Sequence, residues 1–129
     1  METNEKMTEI NINNELYVLK SSIKKTEIAE ENNMSFVIIR TYSAGVHMGY
    51  LKSKKYTTAG TIVELVKTRR IWYWAGAMSI SQLALEGTKK PEDCKFSVEI
   101  PSVELTAIEI VLVTKEAFKN LTSVKIWKI

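Results

Sequence analysis

The chain has 129 residues and only one cysteine, Cys94, one histidine, His47, and one aspartate, Asp93. A single cysteine excludes an internal disulfide, and nothing else marks an oxidising compartment. One His and one Cys cannot build an ordinary structural zinc site, so no metal is expected. G-x-S-x-G, P-loop, H-E-x-x-H and C-x-x-C motifs are all missing. Cys94 and His47 form a nominal nucleophile–base pair, but nothing in the sequence brings them together. Glu64, Glu99, Glu104 and Glu109 alternate with aliphatic residues, as solvent-facing strand positions do. These absences point away from an enzyme and towards binding without turnover, with no resident cofactor. No run of 18 apolar residues exists, and Met1–Ile12 lacks a signal-peptide apolar core. The expectation is a soluble, intracellular protein with no membrane partner.

Arginine is also scarce, with three residues against fifteen lysines. The lysines are scattered. Arg40, Arg69 and Arg70 instead sit inside strand-like apolar runs, where a guanidinium can bind a phosphate through two hydrogen bonds or stack on a ring. Pairing of Arg40 or Arg69 with a glutamate across a sheet is the competing explanation. Residues 1–33 carry a net charge of −3 and residues 34–129 a net +6. The second region therefore tolerates an anionic ligand, but its charge is far from that of a duplex-binding protein. At 45% hydrophobic composition the chain can bury the core of one domain.

Met1–Asn33 reads as an N-terminal extension with one weak helix along Leu16, Leu19 and Ile23. Met34–Tyr42 is a strand with Phe36, Ile38, Arg40 and Tyr42 on one face. Ser43-Ala44-Gly45 turns the chain, and Val46–Ser53 returns as its hairpin partner, with His47 just past the turn. Lys54–Gly60 reads as a loop. Thr61–Thr68 feeds into Arg69–Trp74 as one long bent strand. Phe96–Ile100 and Val103–Val113 are β-rich runs broken at Pro101. Thr114 caps a short helix over Lys115–Leu121, and Val124–Ile129 alternates as a last strand needing an edge. The fold class expected is α+β: an antiparallel sheet of five or six strands with two short helices, and strand pairing across a dimer.

The densest stretch is Arg69–Gly87, which holds two of the three tryptophans. Strand alternation puts Arg70, Trp72 and Trp74 on one face and Arg69, Ile71 and Tyr73 on the other. Ser79 with Gln82 has the spacing of a capping box, Ile80, Leu83 and Ala84 form a helical stripe, and Gly87 stops the helix. A strand, a small-residue turn and a helix start suit a phosphate-bearing ring compound. Packing alone is the plainer explanation of the same residues.

The segments RTYSAGVHMG (Arg40–Gly49), RRIWYWAGAMSISQLALEG (Arg69–Gly87), CKF (Cys94–Phe96) and VKIW (Val124–Trp127) together resemble the type 1 Thoeris anti-defence proteins of bacteriophages, over residues 34–129. That resemblance implies a sponge. Such proteins bind glycocyclic ADP-ribose isomers made by bacterial TIR-domain proteins and hold them uncleaved in the host cell cytoplasm. Some members also bind cyclic di- or trinucleotides at a second site, and assemble as homodimers or as hexamers built from three dimers. On this resemblance Arg40 is a ligand contact, Arg69 serves the cyclic-nucleotide site, Phe96 stacks on a base, Ser79 and Ser81 supply hydroxyl or backbone contacts, and Lys125 adds a cation. The residues themselves allow Arg40, Arg69 or Arg70 for a diphosphate and Phe96, Trp72 or Tyr42 for adenine, with His47 as a further stacking candidate. The alternative function is a single-stranded nucleic-acid-binding β domain.

Overall fold

A computed structural model describes residues 27–128. In chain order it contains β1 (Glu30–Glu31), β2 (Met34–Thr41), β3 (Val46–Thr57), β4 (Gly60–Tyr73), α1 (Ile80–Glu86), a 3-10 turn (Pro91–Asp93), β5 (Lys95–Phe96), β6 (Ile100–Leu112) and α2 (Lys115–Thr122). All strand pairs are antiparallel, and the class is α+β. No helix among the described residues is long and apolar enough to cross a membrane.

Four strands close on themselves. β2 pairs β3, β3 pairs β4, β4 pairs β6, and β6 pairs β2. The ring is strongly staggered. Arg40 stands opposite Val46, and Val46 opposite Ile71; Thr41 stands opposite Ala107, and Ala107 opposite Thr61. Neighbouring positions of β2 thus meet opposite ends of β4, the offset that closing a sheet demands.

Closure creates two apolar cores. Val37, Ile39, Val63, Leu65, Leu105 and Ala107 fill the ring. Phe36, Ile38, Met48, Tyr50 and Ile71 face outward and are covered by Leu83 and Ala84 of α1 and Ala117 and Leu121 of α2. β2 is therefore buried on both faces, and each of its fully buried aliphatic side chains contributes about 2 kcal/mol.

Both helices begin as their sequences predict. Ser79 Oγ accepts from Gln82 N at 3.2 Å, although the Gln82 side chain accepts from Met78 N rather than from the cap itself. Thr114 Oγ1 accepts from Ala117 N at 3.0 Å and donates to Leu85 O at 2.8 Å, which fastens α2 to α1. Near the other end of α2, Asn120 accepts from Thr88 N and donates to Thr88 O, which ties α2 to the segment that follows α1.

Four expectations differ from the structure. Lys54–Thr57 is strand, not loop: β3 runs to Thr57 and turns through Thr58-Ala59, with Thr57 Oγ1 donating to Gly60 O at 2.8 Å. Its lysines hide the strand because every residue from Lys52 to Ala59 is exposed, so no apolar alternation is written there. Pro101 does not break the chain into two strands. It lies within β6, where, among the described residues, β6 pairs β4 alone and its other edge carries no partner strand. Val124–Lys128 is not a strand. Ile126 makes one parallel bridge to Phe96, because β5 is two residues long and offers no longer ladder. The folded unit also starts ahead of residue 34, since Ile28 bridges Thr114 and β1 pairs β2. The helix expected along Leu16, Leu19 and Ile23 lies outside the described residues.

Candidate functional site

The site is created by one irregularity in β4. In the β3–β4 ladder Met48 stands opposite Arg69 and Tyr50 opposite Val66, so two steps along β3 answer three along β4. The extra residue is accommodated with Lys67 in the left-handed region at φ 51°. The strands touch so closely here that a Cβ on Gly49 would lie 2.9 Å from Thr68 Cβ and 3.1 Å from Val66 O. Thr68 is buried and its hydroxyl donates to Met48 O at 2.9 Å. The bulge resets the alternation. Val66, Arg69 and Ile71 now share the outer, helix-covered face, and Arg70 passes to the other.

Arg69 is only 7% exposed. Its Nε donates to Ser97 O at 2.7 Å, one terminal nitrogen reaches Lys125 O at 3.4 Å, and the guanidinium lies 5.4 Å above the Phe96 ring. Among the described residues these contacts use two of the five N–H donors of its fork. Among the described residues no carboxylate lies within ion-pair distance of it. Burial lowers its pKa and Glu99 opposes the shift, yet a guanidinium stays charged at any physiological pH. Arg69 lines a cavity of about 330 Å³ together with Glu31, Tyr50, Lys67, Glu99, Phe118 and Thr122, and with the buried Phe36 and Met48. Phe36 packs edge-on to Tyr50 and to Phe118, centred 5.1 Å and 4.8 Å away, and Tyr50 and Phe118 are tilted to each other at 6.1 Å.

The mouth of this cavity carries a second cation. Lys67 Nζ donates to Glu31 Oε2 at 3.0 Å, and Tyr50 lines the same cavity beside them. Lys67, then Tyr50, hold the Glu31 carboxyl below its ordinary range. Burial first, and then Glu31, push the Tyr50 hydroxyl up.

Arg70 belongs to a different place. It is exposed and borders a shallow groove of about 330 Å³ with Trp72, Trp74 and the Ser43–Val46 turn. Trp72 is 64% exposed, whereas Trp74 donates its indole N–H to Ala77 O at 3.2 Å. His47, opposite Arg70 in the ladder, is 3% exposed, and its Nε2 sits 2.9 Å from Ala44 O. His47 therefore pins the turn from beneath and offers no ring face to a ligand. Burial lowers its pKa, the Ala44 contact opposes this, and Arg70 lowers it further.

The remaining candidates do not join either site. Arg40 donates from Nε to Glu109 Oε1 at 2.8 Å across the β2–β6 ladder, the pairing its position suggested. Tyr42 is 93% exposed beyond the end of β2. Phe96 is fully buried, supporting Arg69 rather than presenting a face for a base. Ser79 spends its hydroxyl on the helix cap, and Ser81 is exposed on α1. Lys125 lines a separate cavity of about 450 Å³ with Cys94 and Trp127. Cys94 Sγ lies near Ala75 O, Thr88 Oγ1 and Lys90 O, a set that does not include His47. Among the described residues no three His, Cys, Asp or Glu side chains cluster as metal ligands. Sequence reasoning overlooked Glu31, Tyr50, Lys67 and Glu99, and the Lys-Thr-Arg-Arg run gives no sign of a bulge.

Residues 34–121 match the family model described as a domain of unknown function, DUF6948. The match spans about two thirds of the chain, and the chain belongs to this family. No curated protein and no solved structure matches.

Proposed function

We propose that this protein is a phage anti-defence sponge that sequesters glycocyclic ADP-ribose signals in the host cytoplasm without cleaving them, with the Arg69 cavity as the signal site. One observation carries the reading. Among the described residues Arg69 is a buried guanidinium held by two carbonyls and a ring, with no carboxylate in ion-pair range, and it lines a cavity. A buried charge without a partner is costly, and a ligand phosphate supplies the partner. The walls suit the rest of such a ligand: three aromatic rings for apolar contact and Lys67 at the mouth for a second negative charge. A volume near 330 Å³ is at the small end of ligand cavities and holds part of a cyclic dinucleotide-sized molecule. Pairing of two copies would enclose the remainder, in keeping with the dimer that the Thoeris resemblance implies. The exposed Trp72 and Arg70 support a second reading, stacking of single-stranded nucleic acid.

The test is direct. The purified protein is incubated with each glycocyclic ADP-ribose isomer and filtered, the flow-through is assayed by mass spectrometry, and the retained protein is heat-denatured and assayed again. Signal that disappears and returns intact is the expected result. Return as a cleaved product would make the protein an enzyme. Signal left in the flow-through, together with tight binding of a labelled oligonucleotide in physiological salt, would favour the nucleic-acid reading.

A further inference from the structure

The contact at the mouth of the Arg69 cavity has the form of a ligand contact that the chain makes to itself. A lysine ammonium is paired with one carboxylate, Glu31, beside the Tyr50 phenol that lines the same cavity, and an oxygen of a phosphate would accept from the same ammonium. Arg69 lines the same cavity, and among the described residues its contacts use two of its five N–H donors. We propose that the cavity holds two adjacent anion positions, Arg69 at the inner one and Lys67 with Tyr50 at the outer. The Glu31 carboxylate fills the outer position until a diphosphate displaces it. The inference rests on the anion-binding reading of Arg69 and names the ligand group and its gate.

Glu31 is a displaceable plug at the level of its side chain. Its backbone is held by the Glu30↔Ser35 and Glu31↔Met34 pairs and by buried Ala29, whose N–H donates to Val113 O at 2.9 Å and whose carbonyl accepts from Phe36 N at 2.8 Å. The carboxylate therefore leaves by side-chain rotation alone. The Lys67–Glu31 pair is also about half exposed, with side chains 54% and 40% accessible, and pairs of that kind are weak. Lys67 behaves differently. The bulge holds its backbone, so the cation stays at the mouth when the carboxylate leaves. A single phosphate can occupy the Arg69 position and leave Glu31 in place. A diphosphate reaches both positions and gains the outer one by exchange.

Isothermal titration calorimetry on the full chain with inorganic diphosphate and inorganic phosphate tests this. The wild-type protein should bind diphosphate at least tenfold more tightly than phosphate. Glu31→Gln preserves size and hydrogen bonding but removes the competing charge, and should tighten diphosphate binding about fivefold, the scale of one half-exposed ion pair. Lys67→Gln should abolish the preference for diphosphate while phosphate binding remains. The proposal is overturned if Glu31→Gln leaves diphosphate binding unchanged or weakens it, if the wild type treats the two anions alike, or if it binds neither. Should Glu31→Gln fail to tighten binding while Arg69-dependent sequestration of the nucleotide persists, only the gate falls. If neither anion binds and sequestration is absent, the Arg69 reading falls with it.

Discussion

Arg69 and Arg70 are neighbours in sequence with identical side chains, and the fold assigns them opposite surroundings. Arg69 lies on the helix-covered face, over the Phe96 ring, tied by Nε to Ser97 O and lining a cavity. Arg70 lies on the other side of β4, exposed beside Trp72, in a groove open to water. A guanidinium in solvent loses hydration and side-chain freedom when it binds an anion. One already desolvated and fixed has met those costs during folding. Two adjacent arginines should therefore contribute very unequally to the same ligand.

The largest effect expected follows from that contrast. Arg69→Met keeps an apolar stem over Phe96 but removes every donor, and should weaken binding of a glycocyclic ADP-ribose by about 100-fold, or roughly 3 kcal/mol, the scale of a buried charge-assisted contact. Arg70→Met should cost about threefold or less, as exposed charges do. Calorimetry on the two variants decides it, and the reverse ranking would move the site to the Trp72 groove.

The bulge that separates the two arginines is the next target. A methyl group on Gly49 has no room against Thr68 Cβ and Val66 O, at 2.9 and 3.1 Å. Gly49→Ala should destabilise the fold by about 2 kcal/mol through overpacking, visible as a lower urea midpoint with an unchanged slope. Because the same contact sets the face of Arg69, ligand binding should fall together with stability. A variant that loses stability but binds normally would show that the alternation does not depend on this approach.

Lys67 permits a smaller and sharper comparison. Lys67→Ala and Lys67→Gly both remove the ion pair with Glu31, so their difference isolates the backbone. At φ 51° a residue with a Cβ is disfavoured relative to glycine. Lys67→Gly should be the more stable of the two by about 1 kcal/mol in chemical denaturation. Equal stabilities would mean that the left-handed conformation is not held in solution.

Much of this molecule was legible in its residues, and the missing part has one cause. Apolar alternation marks β2 and β4 and hydroxyl caps mark both helix starts, whereas Arg40, expected to contact a ligand, pairs with Glu109, the competing explanation of its position. The closed ring was not legible, because no local pattern states that β6 pairs with both β2 and β4. Nor was the bulge. Alternation counted straight through Lys67 does assign Arg69 and Arg70 to opposite faces, but it cannot say which face the helices cover. Phe96 reads in the sequence as a base-stacking ring because aromatic residues serve both cores and ligands, and only packing reveals that this one is buried under a guanidinium. Glu31 lay within the stretch set aside as an extension.

His47 closes the comparison from the Arg70 side, where the turn is held by a buried imidazole and not by a fixed cation. Its Nε2 contact to Ala44 O fixes the wall of the groove, and burial lowers its pKa below the ordinary 6.5, with Arg70 adding to the effect. The folded protein therefore favours neutral His47, while the unfolded chain takes up the proton near pH 6.5. Between that value and the lower folded one, unfolding binds a proton. The stabilising contribution is complete above about pH 6.5 and is lost as pH falls towards the folded value. Glu31 acts in a separate window, because its carboxyl is held below 4.5 and its contribution fades only at more acid pH. Denaturation midpoints measured from pH 7.5 to 5.5 should fall for the wild type and stay flatter for His47→Asn, which retains a donor for Ala44 O without a titrating ring. Parallel profiles for the two proteins would mean that His47 titrates as it does in water, and that the groove turn is open to solvent.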